Sequence, residues 1–137
     1  MLPEWEPGTV AVLATGAGAP HAIPVSTAVR AGPAAIVLAL AHRRESLARL
    51  REDPRCALTV LTAGDLAFTA HGRARIAEEP LAEAGAVVAV RIDVEAVQDH
   101  GQPTFRIDEG VRWHWTDDGA AGADAAVRAG LERLAAG

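Results

Sequence analysis

Apolar and polar positions alternate with a period of two along much of this chain. The alternation is clearest in two long stretches. In Leu66 to Ala77, Phe68, Ala70, Gly72, Ala74 and Ile76 share one face, and Thr69, His71, Arg73 and Arg75 share the other. In Val87 to Gln98, Val88, Val90, Ile92 and Val94 oppose Arg91, Asp93 and Glu95. That is the period of antiparallel strands with one buried face. Shorter extended segments are predicted at Thr9 to Thr15, His21 to Arg30, Ala35 to Leu40 and Arg55 to Thr62, with turns at Gly16–Pro20 and Ala31–Pro33. Pro24 cannot donate to a ladder, so its segment belongs at an edge or a bulge.

Elsewhere the period changes. From Arg43 to Asp53, Leu47 and Leu50 lie three apart, and Glu45/Arg49 and Arg49/Asp53 are opposite charges four apart, so a short helix is predicted. Pro54 disfavours its continuation. Glu78 to Gly85 predicts a second short helix, with Pro80 in its first turn. Thr104–Asp108 and Val111–Thr116 flank Glu109-Gly110 and predict a terminal hairpin. The tail from Ala123 to Ala136 predicts a helix with a Val127, Leu131, Leu134 stripe, and Gly130 weakens it by about 1 kcal/mol relative to alanine. Roughly seven strands with short helices outside them predict a mainly β, antiparallel barrel. One domain over residues 1–137 is expected, with a core at about 8–116.

Composition narrows the function. The 137 residues are half hydrophobic but only 4% aromatic, so Val, Leu, Ile and Ala fill the core. Lysine is absent, and arginine carries all the side-chain positive charge. The net charge of -5 argues against nucleic acid as a partner. No apolar run reaches the roughly 20 residues of a membrane span. The acidic, proline-containing start does not read as a signal peptide, and the lone Cys56 reads as a buried core residue, so a cytoplasmic location is expected.

Two constellations could carry chemistry. His42-Arg43-Arg44-Glu45-Ser46 lies where a strand gives way to a helix, and a helix start beside arginines and a hydroxyl suits an anion such as a phosphate. A solvated basic turn fits the same residues. Trp113-His114-Trp115 places two indoles on one side of an extended segment. They could stack on a flat ring such as a flavin, or cover a core or a subunit interface. The five histidines show no metal-ligand spacing, so no metal site is expected. Ser26 and Ser46 lack a nucleophile-elbow context, and the glycines form no dinucleotide fingerprint. No catalytic side chain stands out.

The chain resembles the pyridoxamine 5'-phosphate oxidase-like, FMN-binding split-barrel family. The resemblance rests on Val10-Ala-Val-Leu-Ala-Thr15, Pro20-His-Ala-Ile-Pro-Val-Ser26, Leu50-Arg-Glu-Asp-Pro-Arg-Cys-Ala-Leu58, His71-Gly-Arg-Ala-Arg75 and Trp113-His-Trp115. It implies a six-stranded antiparallel Greek-key split barrel with a C-terminal helix. It also implies a homodimer with cofactor sites at the interface, acting on a small-molecule substrate. The FMN ring would run along Ile23, Pro24, Val25, Ser26, Ala39 and Leu40, with its phosphate near Arg43, Arg44 and Ser46. Trp113 or Trp115 would approach the ring. Where members commonly carry Arg-Lys near the helix start, this chain has Glu45 and Ser46, and Leu40-Ala41 replaces a polar residue. The substrate motif of true pyridoxamine phosphate oxidases has no clean match. A deazaflavin-dependent reductase, and a non-catalytic flavin- or haem-binding or cofactor-free dimeric barrel, are the alternatives.

Overall fold

The computed structural model describes residues 1–137. Its elements run β1 (Ala11–Thr15), β2 (His21–Val25), β3 (Val29–Arg30), β4 (Ala35–Ala41), α1 (Glu45–Glu52), β5 (Arg55–Thr62), β6 (Leu66–Glu78), β7 (Val87–Asp99) and α2 (Asp118–Ala136). One antiparallel sheet holds the strands in the order β2-β1-β5-β6-β7-β4-β3. β5, β6 and β7 follow one another directly, and β4 returns beside β7, which is a Greek key. No helix is long and apolar enough to cross a membrane.

There are seven strands rather than six, because the extended segment His21 to Arg30 is split. β2 pairs with β1 at one edge of the sheet, and β3 pairs with β4 at the other. Only residues 26–28 join them. Pro24 lies on the edge strand β2, where its missing N–H breaks no ladder. The crossing is held by side chains. Thr27 Oγ1 accepts from Ala39 N at 3.1 Å, Trp5 Nε1 donates to Ala28 O at 2.9 Å, and Arg128 Nη2 donates to Ser26 O at 3.3 Å.

The core fills the barrel from its inward faces. Leu13, Ile36, Leu38, Leu58, Val60 and Ile92 are fully buried there. α1 closes one end by inserting Leu47 and Leu50 into the same core, while Glu45 and Arg49 stay on its flank. A second cluster lies outside the barrel, where Leu131 of α2 packs on Val37, Leu81 and Ala89. This explains the unbroken apolar run of β4: Ile36, Leu38 and Leu40 face inward, and Val37 faces α2, so both sides are covered.

Three predicted elements differ. Residues 78–85 form no helix. Leu81 is buried in the second cluster, its N–H bonds to Val87 O, and Glu78 Oε1 accepts from Ala82 N, so the segment folds as a tight connection from β6 to β7. The stretch 104–116 forms no hairpin and is fastened to other parts of the chain. Ile107 N donates to Asp65 Oδ1, Gly110 lies against Thr62 and Leu61, and Trp113 Nε1 donates to Gly8 O. α2 begins at Asp118, five residues before the predicted Ala123, because Asp117 caps it by accepting from Ala120 N at 2.7 Å.

Two glycines are required by close approach. A Cβ on Gly72 would lie 2.2 Å from the Asp93 carbonyl oxygen, at the point where the β6–β7 register shifts. A Cβ on Gly130 would lie 2.9 Å from both Leu81 methyl carbons, so the helix-weakening glycine is what lets α2 seat. α2 is also tied down by Arg133, which donates to Glu83 Oε2 at 2.7 Å and Glu78 Oε1 at 2.6 Å.

Gly72→Ala is expected to lose about 2 kcal/mol or more, since backbone cannot yield as a side-chain tip can. Urea unfolding followed by circular dichroism measures it. Acid should also destabilise the fold. The Ala82 N–H and then Arg133 hold the Glu78 carboxyl below its usual range, and Arg133 does the same for Glu83. Arg91 and Arg75 lower Asp93, and Arg55 holds Asp53 at about 2. These carboxylates stabilise the fold above their ordinary pKa, and that contribution is lost as pH falls through the depressed values. The melting temperature should therefore fall between about pH 4.5 and 2. Arg133→Gln should flatten that decline.

Candidate functional site

A cleft of about 600 Å³ opens where α2 leaves the barrel surface. Its barrel side is built by Ser26 and Thr27 of the crossing, by Ala39 of β4, and by the connection from Glu83 to Val87. Its other side is built by Trp115 and by Ala120, Ala123, Asp124, Ala126 and Val127 of α2. Each wall follows from local structure. The Thr27 hydroxyl occupies the hydrogen-bonding position that a β3 residue would otherwise fill beside Ala39, which leaves β4 without a neighbouring strand there. The cap at Asp117 starts α2 in time for its alanines to face the gap.

The size and apolar lining suit a flat organic group, with few polar atoms to orient it. Asp124 is paired with Arg128 at 2.6 Å and Glu83 with Arg133 at 2.7 Å, so both carboxylates at the rim are compensated. No histidine, cysteine or methionine lines the cleft.

A basic segment adjoins the cleft through one hydrogen bond. His42 Nε2 hydrogen-bonds Gly85 O at 2.8 Å, and Gly85 is a lining residue, so the segment that follows β4 begins at the cleft's edge. Arg43 and Arg44 come next. Both are exposed and neither enters an ion pair, unlike Arg49, Arg51 and Arg55 downstream. Arg44 occupies the N-cap position of α1 and makes no capping bond, so the helix start keeps free N–H groups. An oxyanion there would meet two guanidinium groups and the positive end of the helix.

The structure thus brings Ser26, Ala39 and Trp115 together, and Arg43 and Arg44 follow His42, which is bonded to the cleft residue Gly85. The other expected residues lie elsewhere. Ile23, Val25 and Leu40 point into the barrel core, and Pro24 is exposed on the outer face of β2. Ser46 is 1% exposed, with its hydroxyl sealed beneath α1 and unpartnered, so its side chain does not face a surface anion. Thr15 Oγ1 and His21 Nε2 are also buried without partners near the same helix end. His21 Nδ1 lies 3.0 Å from Glu45 Oε2, which Arg49 shares at 3.5 Å. Trp113 packs on Gly8 and meets Trp115 edge to face at 5.1 Å between ring centres. Sequence reasoning missed Thr27, the 83–87 connection and the helix wall. Only the Asp117 cap signal could have brought the start of α2 forward to Ala120.

Cys56 is inert by burial, which pushes its thiol up to about 12. No grouping of His, Cys, Asp and Glu could hold a metal ion.

Comparison with known proteins places this geometry in a family. Among solved structures, the HupZ protein of Group A Streptococcus superposes with a TM-score of 0.59 at 14% identity, covering 74% of this chain and 90% of that one. A FAD-binding protein from Mesorhizobium loti gives 0.54 at 19% identity, covering 65% and 83%. A heme binding protein from Mycobacterium smegmatis gives 0.58 at 20% identity, covering 72% and 51%. At these identities the likeness is one of fold. No curated protein matches the sequence. The sequence pattern of pyridoxamine 5'-phosphate oxidase matches residues 3–108, which is most of the chain, and the protein belongs to that family.

Proposed function

We propose that the protein is an FMN-dependent oxidoreductase that works as a homodimer. One observation carries this reading: an apolar cleft of about 600 Å³ is joined, through the His42–Gly85 hydrogen bond, to the segment that carries two exposed, unpaired arginines and the uncapped start of α1. A flavin mononucleotide has the matching shape, with a flat apolar ring at one end and a phosphate at the other. The residues present fit the group. Ser26 and Ala39 on the barrel side of the cleft would hold the ring, and Arg43, Arg44 and the free N–H groups of α1 would hold the phosphate. FMN supplies the hydride and electron transfer when bound. The protein's part is to seat the ring on the barrel side of the cleft, leave the side formed by Trp115 and α2 to a substrate, and balance the phosphate charge. This accounts for the absence of a conspicuous acid, base or nucleophile.

Haem is the less suitable occupant, because none of the lining residues is a customary axial ligand. A deazaflavin cofactor shares the ring-and-phosphate chemistry and is the variant to test beside FMN.

The homodimer reading is supported by one uncovered face of the sheet. α2 shields the outer side of β4 and β7, whereas Val12 and Leu61 on β1 and β5 stay 43% and 53% exposed. Ala14, Ala57 and Thr59 share this face, with Arg55 at its far end and His71 and Arg73 on the neighbouring β6. A second copy would cover this exposed apolar patch.

Titration of the purified chain with FMN, followed by tryptophan fluorescence, should give saturable quenching. Arg43→Gln with Arg44→Gln should weaken the dissociation constant about tenfold or more, as expected for lost charge-assisted bonds of about 1.5–3 kcal/mol. A chain that ignores FMN and the deazaflavin alike sinks the reading. In sedimentation at micromolar concentration the wild type should run as a dimer and Leu61→Arg as a monomer.

A further inference from the structure

We infer that helix α2 makes the cleft selective for a flat, uncharged organic substrate and excludes anionic ones. This rests on the flavin reading above and adds the substrate class. The helix side presents the methyl groups of Ala120, Ala123 and Ala126, with the Trp115 indole beside them. The only charged residues in the lining are Asp124 and Glu83. Each is already held by its own arginine, Arg128 and Arg133 respectively. Arg128 spends a further donor on Ser26 O, which fixes it to the barrel crossing. No guanidinium inside the cleft is therefore left over for a substrate's phosphate or carboxylate. The two unpaired arginines, Arg43 and Arg44, lie at the end that the flavin phosphate would take.

The energetics follow from that arrangement. An anion entering the cleft gives up water, finds no cation and faces two carboxylates at the rim, which is costly. A neutral ring gives up only apolar hydration and gains a stacking surface on Trp115. The wall lies beyond the residues that the family pattern matches, which end at 108, while Trp115 and α2 follow.

The test uses the full chain with naphthoquinone and naphthoquinone sulfonate as probes, neutral and anionic versions of one flat ring. Tryptophan quenching is the readout, measured with and without FMN, and Trp115→Phe gives the background from Trp5 and Trp113. The neutral probe should bind about tenfold tighter than the sulfonate, with most of the quenching lost in Trp115→Phe. Ala123→Arg adds a cation on an exposed part of the wall and should reverse the order, with Ala120→Arg as a second variant. Circular dichroism confirms that both variants are folded. Equal affinity for the two probes in the wild type overturns the inference. So does an unchanged order in both folded arginine variants. A chain that ignores FMN yet prefers the neutral probe defeats the cofactor reading alone. One that binds FMN without any preference defeats the substrate inference alone.

Discussion

Residues 26–28 impose the constraint on which the rest of the structure depends. They join β2 and β3, which lie at opposite edges of a seven-stranded sheet. Laid flat, those edges would be six strand spacings apart, roughly 29 Å. The link from Val25 to Val29 spans at most roughly 14 Å. The sheet must therefore curl until its edges meet. The crossing has no ladder of its own, so Thr27, Trp5 and Arg128 satisfy its backbone partners and backbone groups by side-chain hydrogen bonds. Each is worth on the order of 1 kcal/mol net, and more if its buried partner were left unpaired. Three distant parts of the chain, the N-terminal segment, β4 and α2, are fastened at this one place.

The candidate site is a consequence of that closure. Where Thr27 stands in for a strand beside Ala39, the barrel wall has no further neighbour, and the gap stays open. α2 crosses over it because Leu131 is anchored on Val37, Leu81 and Ala89 while Arg133 grips Glu78 and Glu83. The same Glu83 lines the cleft, so the fastening of α2 and the neutrality of the rim are one arrangement. At the other end α1 plugs the barrel with Leu47 and Leu50, and its uncapped start leaves Arg43 and Arg44 in solvent. An apolar cleft and a basic end thus arise from two helices that never meet the chain's strands in the same way.

Local pattern reached far into the fold. Alternation alone located β5, β6 and β7, and the change of period at Arg43 located α1, because each depends on neighbours a few residues away. It failed where a distant contact outweighed the local preference. Glu78–Gly85 has helix-compatible residues, but burying Leu81 under α2 is worth more than a short exposed helix, which is marginal alone. Val111–Thr116 alternates as a strand does, yet it joins no ladder: Trp113 is held by Gly8, and the preceding Ile107 and Gly110 by Asp65 and Thr62. At the site, Ser46 looked like a phosphate ligand by its place at a helix start, and helical geometry instead turned it inward beside Leu47 and Leu50.

The sequence by itself therefore determined β5, β6, β7 and α1, the basic stretch before α1, and the family. Those features are encoded in side-chain periodicity and residue type over short spans. Tertiary structure alone decided that His21 to Arg30 serves two edges and that Trp115 rather than Trp113 lines the cleft. It also decided that the alanines of α2 form a wall. Each of those outcomes depends on residues some 12 to 100 positions apart being brought into contact by closure of the barrel, as in Thr27 with Ala39 and Ser26 with Arg128. No local pattern records which such contacts win, because their stability comes from a shared core that exists only once the chain has folded.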